Sequence, residues 1–130
     1  MSGEVALDKM IATARYVAGG GFARDGMQAA ARTVEGAVRG TAAAGTSPEG
    51  EPWAATKKGG RAMAHAAAAV SVVVVGTVLL LKLAGAEVFH HFGVRGAPAR
   101  PVIPRGSMPD RLGNAVRLGF VEVWKTKVRK

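Results

Sequence analysis

Apolar residues recur at helical spacing near both ends of this chain and run almost unbroken through its middle. Residues 4–17 place Val5, Leu7, Met10, Ile11, Ala14 and Val17 close to one face, which predicts a helix with Ser2 as its N-cap. Gly19, Gly20 and Gly21 interrupt it. A second helix is predicted over Ala23–Ala43, with Met27, Ala30, Ala31, Val34, Ala37 and Val38 on one side and Arg24, Gln28, Arg32, Glu35 and Arg39 on the other. Glu35 and Arg39 are spaced for an i,i+4 ion pair. Gly26, Gly36 and Gly40 weaken this helix while permitting close packing against another backbone. The pattern also allows one long bent helix.

The apolar run Ala62–Leu81 admits two readings. Its length reaches the threshold of a membrane-spanning helix, about 20 residues. Its β-branched stretch Val70–Val75, the Gly76-Thr77 pair and the second apolar stretch Val78–Ala84 instead predict two strands joined by a two-residue turn. The hairpin is preferred, since strands covered on both faces are as continuously apolar as a span. Residues 86–92 read as a helical turn or short strand, and residues 93–106, rich in Gly, Ala and Pro, as an ordered loop. A last helix follows Pro109, which suits a first-turn position, with Ser107 or Asp110 as cap and Leu112, Val116, Phe120, Val123 and Trp124 as its apolar stripe.

With 130 residues, 48% of them hydrophobic, the chain is expected to form one domain. Its parts are a helical segment 1–44, a loop 45–61, a hairpin region 62–92, a basic loop 93–106, and a C-terminal helix with basic tail 107–130. The apolar share is mostly Ala and Val, so each residue buries little area and neighbouring subunits could supply the rest. Net charge is +9. Residues 1–60 hold seven Lys/Arg against six Asp/Glu, whereas residues 61–130 hold eleven against three. A solvated basic tail is the plain reading of that excess, and an anionic partner the sharper one. The mixed charges of the first nine residues do not resemble an export signal.

Chemistry is harder to place. The chain has no cysteine, which excludes disulfide and thiolate chemistry. Adjacent side chains diverge, so His90 and His91 are poorly placed to share a metal, and one buried and one exposed histidine is expected. Gly19-Gly20-Gly21 lacks the Gly-Lys-Ser/Thr ending of a phosphate loop, and none of the serines stands in a nucleophile elbow. The chain is therefore expected not to be an enzyme and to need no metal or cofactor. Trp53, set in a polar loop, is either an anchor folded back on the core or an interface residue, with the anchor preferred. Arg95, Arg100, Arg105, Arg111 and Arg117 could touch phosphates without reading sequence.

One resemblance rests on the order of short motifs. Gly50-Glu51-Pro52-Trp53 precedes the basic Lys57-Lys58-Gly59-Gly60-Arg61. An apolar hairpin, Val88-Phe89-His90-His91-Phe92-Gly93, Arg100-Pro101 with Pro104, and a last helix follow in turn. This order, over roughly residues 50–124, resembles the virion morphogenesis and tail-completion proteins of tailed phages. The resemblance implies an α+β fold, with N-terminal helices and a C-terminal helix packed on a small antiparallel sheet containing a β-hairpin. It also implies a non-catalytic virion component, assembled in the host cytoplasm, that forms a ring, often a hexamer, at the head–tail junction where DNA passes. A tail-terminator ring of the same fold is the alternative within that family; a holin-like single-span protein with residues 62–81 in the bilayer, or a basic DNA-binding accessory, lies outside it. No membrane is expected. As assembly-interface candidates the resemblance points to Trp53, Phe89, His90, His91, Phe92, Gly93, Arg100, Pro101 and Pro104. Arg95, Arg105, Arg111 and Arg117 would face DNA or a neighbouring connector or tail protein.

Overall fold

The computed structural model describes residues 3–54, 66–84, 91, 93, 99–104 and 107–128. Its order is helix α1 (Gly3–Ala18), helix α2 (Gly21–Ala44), a short helix α3 (Ala66–Ala69), strands β1 (Val70–Val75) and β2 (Val78–Leu83), and helix α4 (Asp110–Val123), which widens into a π-helical turn over Trp124–Val128. The fold is α+β, with N- and C-terminal helices around one antiparallel hairpin, as the sequence predicts. The expected Ser2 cap lies outside the described residues.

The glycine run does break the N-terminal helical pattern. Gly20 adopts φ 87°, a left-handed conformation costly for other residues, and α2 begins directly after it. The helix ends beyond Ala44, where the Gly45 and Thr46 amides bond back to the Ala42 and Thr41 carbonyls at 3.1 and 2.9 Å. Within α2 the buried positions are mostly small or β-branched: Gly26, Ala29, Ala30, Ala31, Val34, Val38 and Ala42. Such a surface lets α4 approach very closely. A Cβ built on Gly119 of α4 would lie 2.5 Å from the Ala30 nitrogen, and one on Gly26 would strike the Phe120 ring. The Thr33 hydroxyl adds a bond to the Ala115 carbonyl across the same seam. At its far end Phe22 meets Phe120 and Trp124 edge-on, both at 5.7 Å.

Of the three glycines expected to permit close packing, only Gly26 does so; Gly36 and Gly40 have nothing within 4 Å of a Cβ. The start of α4 also differs from expectation. Pro109 stands just outside the helix with extended backbone, and no side chain caps it. The Pro109 carbonyl instead accepts from the Leu112 and Gly113 amides at 3.0 and 3.1 Å. A proline can fill this position because the cap contributes its carbonyl rather than its N–H.

The hairpin turns at Gly76-Thr77, as expected, with Gly76 at φ 61°. Its register runs from Val75↔Val78 to Val70↔Leu83. Val70, Val72, Val74, Leu79, Leu81 and Leu83 are the better-covered positions, and of these all but Val74 join a core formed by Val34, Val38, Val102, Leu112 and Ala115. The opposite face carries Val73, Val75, Val78 and Leu80, all exposed, beside Lys82. No helix among the described residues is long and apolar enough to cross a membrane; the described part of the 62–81 run is a short helix and the hairpin.

Candidate assembly site

The loop after α2 and the segment 99–104 hold each other by reciprocal bonds. Glu51 and Trp53 turn the loop back on α2: the Ser47 amide bonds the Glu51 carbonyl at 2.7 Å, and the Trp53 amide bonds the Gly45 carbonyl at 2.9 Å. So placed, the Trp53 indole Nε1 donates to the Pro101 carbonyl at 2.8 Å, and the Arg100 Nε donates to the Ala54 carbonyl at 2.9 Å. Two residues further along, the Val102 amide donates to His91 Nδ1 at 3.0 Å. Accepting at Nδ1 fixes the neutral tautomer, with the ring proton on Nε2. His91 is 2% exposed, Arg100 6%, and Val102 fully covered.

Trp53 is thus the intrachain anchor, and His91 is the expected buried, hydrogen-bonded histidine. Arg100, expected in a basic loop, is buried within the chain, and its guanidinium fastens the segment by donating to the Ala54 carbonyl. Pro101 is half-buried behind Trp53, Gly93 lies against the Ala99 backbone, and Pro104 lines an apolar groove with Leu79, Leu81, Ile103, Met108 and Leu112. Phe89, His90, Phe92, Arg95 and Arg105 lie outside the described residues. Arg111 and Arg117 are exposed on α4, with the Arg111 guanidinium beside Gly50 of the loop after α2, and Lys125 and Lys127 are exposed in the turn that follows the helix.

Beside the clasp, an open cleft of about 450 Å³ is walled by Trp53, Pro101 and Ala99 and lipped by Glu49 and Glu51. Among the described residues no cluster of His, Asp or Glu could hold a metal. The chain matches no family model, no curated protein and no solved structure.

Two features escape a reading of the sequence alone. Helix α1 carries its predicted apolar stripe, yet none of its described side chains is buried; Leu7 is 56% and Met10 68% exposed. At its C-terminal end the Tyr16 hydroxyl donates to Asp25 Oδ2 at 2.6 Å and the Tyr16 ring lies over Gly21. The second feature is a clamp on β1. Arg39 donates through Nε and NH2 to the Val70 carbonyl at 3.2 and 3.0 Å, and Glu35 Oε1 accepts from the Val72 amide at 3.1 Å. Spacing revealed this i,i+4 pair, 3.6 Å apart, but not that both members would grip a strand edge.

Proposed function

We propose that this chain is a non-catalytic structural subunit of a tailed-phage virion, a tail-completion or neck protein that assembles into a ring at the head–tail junction. The observation that carries the reading is the bare apolar face of α1. An isolated helix of about this length is marginal in water, and a stripe of Leu7, Met10, Ile11 and Val17 left uncovered within one chain is explained by a neighbouring copy that covers it. A helix of one subunit docking on a different surface of the next is a head-to-tail contact, which closes into a ring when the rotation permits.

The exposed basic residues of the C-terminal helix and its last turn support the same reading. Arg111, Arg117, Lys125 and Lys127 are exposed and read no sequence, as suits groups lining a passage for duplex DNA. The motif order from Trp53 to the last helix adds the family resemblance.

Negative-stain imaging of the purified chain tests this. Rings, or decoration of one end of a phage tail, are expected, and Leu7→Glu with Met10→Glu should abolish them while leaving the fold's circular dichroism intact. Rings unaffected by that double substitution, or no assembly at any concentration, would sink the reading.

A further inference from the structure

The two edges of the hairpin are treated differently by the rest of the chain. In an antiparallel pair alternate residues point their N–H and C=O outward. On β1 these are Val70, Val72 and Val74, and the clamp from Arg39 and Glu35 occupies the Val70 carbonyl and the Val72 amide. On β2 the outward residues are Leu79, Leu81 and Leu83, and among the described residues none of their edge groups meets a protein partner. An apolar strand with an unpaired edge is a template for another strand.

We propose that β2 pairs with β2 of a second copy about a two-fold axis, giving a four-stranded sheet across the two chains. Two observations select a second copy as the occupant. The strand is complementary to itself: with Leu81 opposite Leu81, Leu79 opposes Leu83 in hydrogen-bonded pairs. Lys82, the hairpin's one charge, then faces Leu80 rather than another lysine. The clamp on β1 removes the other edge, so addition stops at two copies and no open fibre grows.

Val73, Val75, Val78 and Leu80 leave an apolar face bare beside the β2 edge. Pairing at β2 leaves α1 free, so it is independent of the ring proposed above.

The test uses the full chain. Sedimentation should show a monomer–dimer equilibrium that tightens with added salt, because two chains of charge +9 repel. Amide exchange should show protection at Leu79, Leu81 and Leu83 that grows with protein concentration. Leu80→Lys places lysines opposite Lys82 at two symmetric positions and should weaken the dimer by a few-fold to about tenfold, while Leu80→Glu should strengthen it by a similar factor. Val75→Lys and Val75→Glu make the same charge changes on the same face away from the edge, and should show much smaller effects. A strictly monomeric chain, a dimer or ring with those three amides unprotected, protection that needs a different protein, or equal effects at positions 80 and 75 would each overturn the proposal. Rings that form without protection at β2 would overturn it while sparing the ring reading; dimers without rings would do the reverse.

Discussion

At residue scale the glycines of the two long helices divide by what stands opposite them. Gly119 faces the backbone of Ala29 and Ala30, which cannot swing aside, whereas Gly36 and Gly40 face open space. Gly119→Ala is therefore expected to destabilise the fold by about 1–3 kcal/mol through overpacking. Gly36→Ala and Gly40→Ala should each stabilise it by roughly 0.5–1 kcal/mol through helix propensity. Urea denaturation of the three variants checks the signs, and a neutral Gly119→Ala would refute the close approach of α2 and α4. The sequence shows Gly26 and Gly119 plainly but not their difference from Gly36 and Gly40. That difference is set by the facing helix, although the four-residue spacing of Ala115 and Gly119 was a usable signal.

Tyr16, the chain's one tyrosine, gives a second residue-scale expectation. Desolvation, then the hydrogen bond to Asp25 and that carboxylate's charge, raise its phenol above the ordinary value of about 10, with Arg24 opposing. A raised value means the fold favours the protonated phenol. The associated stability is present below the unfolded value and is lost as pH rises through the folded one. Phenolate absorbance should therefore titrate above pH 10, and Asp25→Asn should bring the midpoint down part of the way. A midpoint at or below 10 in the unmodified chain would contradict the bond between α1 and α2.

At the scale of elements the clamp on β1 shows why a surface ion pair can matter. Glu35 and Arg39 are 29% and 46% exposed, so their mutual attraction contributes little. Their worth lies in the Val72 amide and Val70 carbonyl they satisfy. Glu35→Ala and Arg39→Ala are each expected to cost about 1 kcal/mol. The double variant should cost less than their sum, because the two touch each other and hold one strand edge. Chemical denaturation measures this, and strict additivity would mean the side chains act separately. The hairpin itself was legible: β-branched residues, a glycine-first turn and two runs of strand length mark it out. Which faces and edges stay open was not, since a run such as Val-Leu-Leu-Leu shows no alternation to separate covered from bare.

At the scale of the whole molecule the three long helices, the hairpin and the break between α1 and α2 followed from periodicity and glycine placement, whereas the short helix α3 did not. The interior of the candidate site did not. Trp53, His91, Arg100 and Pro101 were visible as unusual residues, but they meet only through bonds spanning between 11 and 48 residues of sequence, which local pattern cannot supply. The charge asymmetry was legible as a total, and the fold divides it, turning Arg100 inward while leaving Arg111 and Arg117 outside.

The alanine and glycine seam between α2 and α4 carries a thermodynamic signature of its own. Alanine and glycine have no rotamers to freeze, so where they line the seam docking forfeits almost no side-chain entropy. The same residues expose little apolar area on unfolding, so the heat-capacity change that bends a stability curve is small for this seam. The helix pair is thus held by close backbone approach, and its stability varies less steeply with temperature than a leucine-packed pair of the same length.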